Sequence, residues 1–190
     1  MKEHKCTKIS ITFCAYLTIN DKYVGFTQGS HLQAEFDITD YVCEGTNKVT
    51  VKVLKWCCGS YLEDQDCFRF NGIFRDCYVL QRPENHIDDI DMIPNDKEIN
   101  VKLAGQAQVS IYKGEELLVS TQMEDTFTYT VENPVLWNAE KPFLYKVVFE
   151  RAGEVITLKA GLRKVGISDK FELLINDVPV KLHGVNRHDT

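Results

Sequence analysis

The stretch Asn47–Trp56, NKVTVKVLKW, decides the fold class because its apolar and polar side chains alternate. In an extended strand Val49, Val51 and Val53 point to one face, and the residues between them point to the other. A strand with one apolar face must pack that face against a second layer. The stretch therefore predicts one strand of a β-sandwich.

Similar segments lie on both sides of this strand. Ile9–Ile19 and Tyr23–Phe26 flank Asn20 and Asp21, a pair typical of a hairpin turn. Phe74–Leu80 predicts a further strand, and residues 81–85 (QRPEN) predict a domain boundary. No long amphipathic helix is indicated anywhere, so we expect an all-β protein.

The part of the chain after His86 predicts a second sandwich of about six strands, close in size to an immunoglobulin-like domain. We expect Trp137 and Phe143 to be core or corner residues, with stacking on a ligand as the weaker alternative for Trp137. Phe171–Ile175 and Val178–His183 predict a last hairpin, and a new buried strand is expected to start at Gly184. The six strands are Glu98–Leu103, Gln106–Tyr112, Glu116–Thr121, Thr126–Val131, Tyr145–Glu150 and Glu154–Ala160.

Composition excludes several classes of protein. The 190 residues are 44% hydrophobic and 26% charged, which is typical of a soluble globular chain. A net charge of −6 without a basic cluster argues against nucleic acid as a partner. No apolar run reaches the roughly 20 residues that a membrane span needs. The first residues do not resemble a signal peptide, so we expect a cytoplasmic location.

The chain has 7 cysteines, an odd number, and none of them has the spacing of a zinc site. Without a secretion signal we expect reduced thiols that are mostly small buried hydrophobic residues with no function. The cysteines are Cys6, Cys14, Cys43, Cys57, Cys58, Cys67 and Cys77.

The segment Gly59–Asp76, GSYLEDQDCFRFNGIFRD, concentrates charge on an apolar background. Charges are costly to bury unless each has a partner. One interpretation is therefore a structural network in which Asp64 or Asp66 pairs with Arg69 or Arg75. The other is a polar floor under a sugar, where carboxylates accept hydrogen bonds from hydroxyl groups and aromatic rings face the sugar.

Four stretches in this order resemble the β-galactosidases of glycoside hydrolase family 2. Tyr23–Thr39 (YVGFTQGSHLQAEFDIT) and the GSYLEDQD and GIFRD strings within Gly59–Asp76 resemble the family's sugar-binding jelly roll. Glu132–Glu150 (ENPVLWNAEKPFLYKVVFE) resembles its immunoglobulin-like sandwich, and Gly161–Thr190, which contains GVNRHD, resembles the start of its catalytic barrel. GSYLEDQD favours galactosidase over glucuronidase or mannosidase.

The resemblance implies three parts: the end of a jelly roll in residues 1–82, an immunoglobulin-like sandwich in residues 86–162, and the first strand of a truncated TIM barrel in residues 163–190. It also implies a retaining enzyme that cleaves terminal β-galactosides such as lactose through two glutamates. Those glutamates belong to later barrel strands beyond Thr190. Glu63 and Asp66 cannot replace them, because three residues of extended chain separate two groups by about 10 Å.

Two positions match residues that bind substrate in the family. Asp66 matches an aspartate that binds a sugar hydroxyl and shares a sodium ion with the barrel. His188 matches a histidine at the end of the first barrel strand that hydrogen-bonds the galactosyl transition state. The family's magnesium ligands lie in the barrel, so no magnesium ligand is assigned here.

The neighbours of these two residues have expected supporting roles. Asn186, Arg187 and Asp189 are expected to orient the strand end around His188. Tyr61 and Phe68 could shape the sugar pocket or pack in the core. The remaining charged residues of the segment are assigned to scaffolding between domains: Glu63, Asp64, Arg69, Arg75 and Asp76.

The preferred hypothesis is thus part of a β-galactosidase that is inactive alone and belongs to a homo-oligomeric whole protein. The alternatives are a stand-alone carbohydrate-binding or scaffolding module, and a partner chain that complements a separate barrel.

Overall fold

The computed structural model describes residues 5–12, 14–29, 32–63 and 72–187. They divide into a first unit, residues 1–84 with 185–190, and a second unit, residues 85–184. Antiparallel strands dominate both units, and the one helix of the described residues spans five residues, which confirms the all-β prediction. That part of the chain holds no helix long and apolar enough to cross a bilayer.

The first unit contains two antiparallel sheets of three strands and a short helix. The elements are β1 (Lys5–Thr12), β2 (Ala15–Ile19), β3 (Lys22–Thr27), β4 (Gln33–Asp37), β5 (Val49–Val53), α1 (Cys58–Leu62) and β6 (Tyr78–Pro83). The strand orders of the two sheets are β4-β1-β6 and β3-β2-β5.

The predicted strand Ile9–Ile19 is wrong in one respect, because it is two strands in different sheets. Ile9 and Ile11 of β1 are buried, and so are the apolar residues of β2 at the following odd positions, such as Leu17 and Ile19. The alternation stays in phase across the break, so the pattern could not reveal it.

The apolar face predicted for β5 is confirmed for Val51 and Val53, which pack against the first unit's core. Val49, at the start of the strand, is 45% exposed. The strand predicted at Phe74–Leu80 begins only at Tyr78, while Phe74 packs against the same core. The buried members of that core are Ile9, Ile11, Ala15, Leu17, Ile19 and Ile38.

The second unit is built around a long central strand. β8 (Glu98–Lys113) pairs with β9 (Glu116–Thr130) along one edge and with β7 (Asp91–Pro94) and β10 (Tyr145–Arg151) along the other, and β11 (Glu154–Ala160) pairs with β10. Four predicted strands are therefore only two.

The irregularity at Gly105 explains this error. Its φ is 77°, and the ladder between β8 and β9 shifts register between Lys102 and Gln106. The Asp125 carboxylate accepts a 2.8 Å hydrogen bond from the Gly105 N–H. Glycine and aspartate are also the residues that are typical of turns. The sequence therefore predicted that the chain reverses near Gly105 and Asp125, whereas the structure has a bulge there within two continuous strands.

A dense core fixes the second unit. Tyr145, Val147 and Phe149 of β10 have no exposed surface. The Tyr145 hydroxyl oxygen accepts a 2.8 Å hydrogen bond from the Val135 N–H, and the Phe143 ring packs edge-on 5.1 Å from the Tyr145 ring. These contacts join β10 to the loop that precedes it. Phe143 packs against the core, in agreement with the prediction that it is a core or corner residue.

A small sheet ends the second unit. It consists of β12 (Val165–Ile167), β13 (Leu173–Ile175) and β14 (Val178–Pro179). The predicted hairpin at Asn176 and Asp177 is confirmed, although its strands are shorter than expected. Residues 184–187 are exposed and lie outside any strand, so they do not form the buried strand that was predicted to start at Gly184.

Candidate functional site

The acidic segment Gly59–Asp76 begins in α1, which follows β5 after a short connection. Cys57 is the N-cap of this helix: its carbonyl accepts a 3.0 Å bond from the Ser60 N–H, and its N–H donates to the Ser60 hydroxyl at 3.2 Å. The Glu63 N–H donates to the Gly59 carbonyl at 2.9 Å and closes the helix. The start of the segment is therefore a closed helical turn.

Gly59 allows α1 to lie against the chain that follows β3. It is buried, and a β-carbon there would lie 2.6 Å from the Gln28 carbonyl oxygen. Such an approach is possible only for a residue without a side chain. This contact fixes where α1 lies in the first unit.

The far end of the segment is fixed by packing. Gly72 has a φ of 82°, Phe74 packs against the first core, and the Arg75 guanidinium lies 5.8 Å from the centre of the Phe74 ring. Both ends of the segment are therefore held by the same sandwich. Residues 64–71 between them lie outside the described residues.

Several residues predicted to act at the site consequently lie outside the described residues. They include Asp66 and His188, the two predicted substrate ligands, and their roles stay predictions. The choice between a sugar role for Asp66 and an ion pair with Arg69 or Arg75 also stays open. The others outside the described residues are Asp64, Phe68, Arg69 and Asp189.

The neighbours that are described are accessible. Tyr61 is 74% exposed, so of its two predicted roles core packing is wrong and a role at the surface stays a prediction. Asn186 and Arg187 are exposed and lie outside any strand. Glu63 ends α1 and is partly buried.

The cysteines differ from the prediction. Cys14 is buried, Cys57 is partly buried, and Cys43, Cys58 and Cys77 are exposed, so most of the described cysteines are not core residues. Burial raises the pKa of Cys14 to about 12, and a hydrogen bond to the neighbouring Cys57 adds to this effect. Burial alone would raise the pKa of Cys57, but hydrogen bonds from Cys14 and Ser60 lower it on balance.

Sequence reasoning missed this pair of thiols. The available signal was that β2 begins directly after Cys14 and β5 ends four residues before Cys57, and this becomes informative only when the pairing of the two strands is known. Ala15 lies opposite Val53 in the ladder, and the Leu54 N–H donates to the Cys14 carbonyl at 2.9 Å.

Trp137 is a corner residue of the second unit. It is partly buried, and its backbone N–H donates to the Leu162 carbonyl at 2.7 Å. The Arg163 guanidinium lies 5.1 Å from the centre of the Trp137 ring. These contacts agree with the predicted corner role and leave ligand stacking as the weaker alternative.

The described ranges contain no group of three or more histidine, cysteine, aspartate or glutamate side chains arranged to hold a metal ion. The sodium role predicted for Asp66 concerns a residue outside those ranges.

Comparison with known proteins identifies the family. Residues 3–83 match the profile described as "Glycosyl hydrolases family 2, sugar binding domain", and residues 89–163 match the profile "Glycosyl hydrolases family 2". Both profiles describe a class of carbohydrate-cleaving enzymes, and in this chain they match two consecutive β-sandwiches. The chain belongs to glycoside hydrolase family 2.

Curated relatives include the β-galactosidases of Actinobacillus pleuropneumoniae, 44% identical over 93% of this chain, and Staphylococcus xylosus, 38% identical over 92%. The chain spans 19% of the length of each of these two relatives.

Solved structures show the same fold. The FMN-binding β-glucuronidase of Faecalibacterium prausnitzii L2-6 superposes with a TM-score of 0.82 over 97% of this chain and 34% of its own, at 20% identity. Another β-glucuronidase of Faecalibacterium prausnitzii gives 0.77 over 93% of this chain and 37% of its own, at 15% identity. At these identities the likeness concerns the fold alone.

Proposed function

We propose that this chain is the sugar-binding and immunoglobulin-like portion of a retaining β-galactosidase that hydrolyses terminal β-galactosides such as lactose. Residues 1–82 are then the C-terminal part of the jelly roll, residues 86–162 the sandwich, and residues 163–190 the start of the barrel. The two glutamates that perform the double displacement belong to barrel strands that follow residue 190. The whole protein is proposed to be a homo-oligomer.

The observation that carries this proposal is the identity of 44% to a β-galactosidase over 93% of the chain. The similarity extends over both matched domains, which favours a role shared with the β-galactosidase over the presence of one related domain in an otherwise different protein. The β-glucuronidase structures share the fold at 23% identity or less, so they do not favour a glucuronide substrate.

Asp66 is proposed to accept a hydrogen bond from a galactosyl hydroxyl and to share a sodium ion with the barrel. A carboxylate suits both tasks, because it forms charge-assisted hydrogen bonds and coordinates hard cations. The closed helix α1 and the packed Phe74 support this role, since they hold both ends of the segment that contains Asp66. His188 is proposed to bind the galactosyl group in the transition state.

A chimera tests the proposal. This chain replaces the matching fifth of the Actinobacillus pleuropneumoniae enzyme, and hydrolysis of nitrophenyl β-galactoside and β-glucuronide is compared. We expect galactoside hydrolysis that Asp66→Ala reduces by about 10- to 150-fold in kcat/KM, the value of one charge-assisted bond. Asp40→Ala is the matched control, because Asp40 is an exposed aspartate of the same unit.

The other outcomes separate the rival functions. Activity that Asp66→Ala leaves unchanged would contradict the role of Asp66, and activity only on the glucuronide would contradict the substrate. A rise in the melting midpoint of the isolated chain with galactose would favour a stand-alone binding module. Recovery of activity on mixing the chain with a separate barrel would favour a complementing partner chain.

A further inference from the structure

The side chains of Cys14 and Cys57 meet in the first unit, where the pairing of β2 with β5 ends. Ala15 and Val53 are the last paired residues at this end of the ladder, and the Leu54 N–H bonds to the Cys14 carbonyl at 2.9 Å. The chain then turns, and Cys57 comes close enough to Cys14 for each thiol to shift the pKa of the other. Two cysteines far apart in sequence are thus neighbours in a fixed backbone frame.

The two thiols differ in accessibility. Cys14 is only 5% exposed, whereas Cys57 is partly exposed. The Cys57 sulfur lies 3.6 Å from the Gln28 carbonyl oxygen and 3.6 Å from the Ser60 hydroxyl oxygen. Cys57 is therefore the more accessible of the two residues to a small oxidant in solution.

We propose that Cys14 and Cys57 form an oxidation site at which hydrogen peroxide reversibly converts the two thiols into a disulfide. The Cys57 thiolate attacks one peroxide oxygen, which gives a sulfenic acid at Cys57 and, with a proton from solvent, one water. The Cys14 thiol then attacks the Cys57 sulfur, and the sulfenic hydroxyl leaves as a second water with the Cys14 proton. Two thiols are oxidised and one peroxide is reduced to two waters.

The electrostatics of the pair suit this order of events. The thiolate is the nucleophile, and the lowered pKa of Cys57 increases the share of thiolate at that position. Burial is the largest cause of the raised pKa of Cys14, but the hydrogen bond and charge of Cys57 contribute. The contribution from the charge of Cys57 ends when Cys57 becomes a neutral sulfenic acid, and the loss of that charge lowers the pKa of Cys14 for the second step.

Mass spectrometry of the 190-residue chain tests the linkage. The chain is treated with hydrogen peroxide, blocked with N-ethylmaleimide and digested with trypsin without reduction. Cys14 then lies in peptide 9–22 and Cys57 in peptide 56–69, which also contains Cys58 and Cys67. A background of Cys58→Ser and Cys67→Ser removes this ambiguity, and the two peptides are expected to be joined there.

Two variants of the natural sequence, in which Cys58 and Cys67 are retained, provide the controls. Cys57→Ser keeps a side chain that caps helices well, so the fold is expected to persist while the linked peptide is lost. Cys14→Ala should also lose the linked peptide, and its Cys57 should react more slowly with iodoacetamide at pH 7. Far-UV circular dichroism checks that both variants are folded.

Reduction by a phosphine reagent is expected to restore both thiols. Oxidation of the exposed Cys43 while Cys14 and Cys57 stay reduced would overturn the proposal. So would a link from Cys14 to Cys58 in the natural sequence, a linked peptide that survives Cys57→Ser, or oxidation of Cys57 that the phosphine cannot reverse.

Discussion

Two turns with the same sequence, Ile-Asn-Asp, lie one in each unit: Ile19–Asp21 between β2 and β3, and Ile175–Asp177 between β13 and β14. The asparagines have φ of 50° and 52°, and the aspartates have φ of 61° and 64°. Each turn also binds a lysine on a neighbouring stretch of chain, Lys48 in the first unit and Lys164 in the second.

The contacts to the two lysines correspond one by one. The Asn20 N–H donates to the Lys48 carbonyl, and the Asn20 side-chain oxygen accepts from the Lys48 N–H, both at 2.9 Å. Asn176 makes the same two bonds to Lys164, at 2.9 and 3.0 Å. In both turns the aspartate accepts a 2.8 Å bond from the lysine ammonium group.

The difference lies in what the asparagine amide group reaches. The Asn20 amide donates at 2.9 Å to the Tyr41 carbonyl and to the Asn47 side chain. The Asn176 amide donates at 3.0 Å to the Trp137 carbonyl. The same three residues thus specify the turn and the lysine contact, while the tertiary surroundings decide how strongly the turn is tied to the rest of its unit.

The largest expected effect is that of Asn20→Ala. The variant loses three side-chain hydrogen bonds and places alanine at a positive φ, so we expect a loss of about 2–4 kcal/mol of unfolding free energy. Urea unfolding measures the loss, and hydrogen exchange of β2 and β3 locates it in the first unit. A loss below about 1 kcal/mol would mean that the contacts around Asn20 do not stabilise the turn.

Asn176→Ala is expected to cost less, about 1–3 kcal/mol, because Asn176 forms two such bonds. Exchange should increase in β12, β13 and β14. An effect equal to or larger than that of Asn20→Ala would break the comparison, because it would show that contacts to the surroundings do not set the difference.

The turns also show which parts of the fold were predictable. Asn20 with Asp21, and Asn176 with Asp177, were identified as turns from sequence because a positive φ favours these residue types locally. Val51 and Val53 of β5 were predictable for a similar reason, since alternation is a local property. The break between β1 and β2 was not, because Ile11 and Ala15 continue the alternation across it.

The same reasoning applies to the site. The resemblance pointed to Asp66 and His188 through short motifs, and both roles remain predictions. The contact of Cys14 with Cys57 has no local signature, because it depends on the register of β2 against β5. The tight packing at Gly59 likewise depends on Gln28, which belongs to another part of the chain.

Replacement of each asparagine by glycine sharpens the comparison with a smaller effect. Glycine adopts positive φ freely, so Asn20→Gly and Asn176→Gly should each be more stable than the alanine variant by about 1 kcal/mol. Because the two φ values are nearly equal, the recovery should be equal in both turns. Unequal recoveries in urea unfolding would show that backbone strain, and not only hydrogen bonding, distinguishes the turns.

The smallest effect is expected for Asp177→Asn, which tests the exposed ion pair. A hydrogen bond from Lys164 to Asp177, with the charge of that carboxylate, raises the pKa of Lys164 above its ordinary 10.5. The variant should therefore lower the pKa of Lys164, as measured by NMR titration of the lysine side chain. Salt should diminish the difference, because the pair is exposed to solvent.

The sign of the pH dependence follows from this direction. A raised pKa means that the folded state binds the lysine proton more tightly than the unfolded state does, so the pair stabilises the fold below about pH 10.5. That contribution is lost as the pH rises through the pKa of the folded state. The stability difference between the natural chain and Asp177→Asn should thus be constant from neutral pH to about pH 10 and shrink above it. A difference that persists at higher pH would show that Asp177 stabilises the turn through its backbone conformation and not through Lys164.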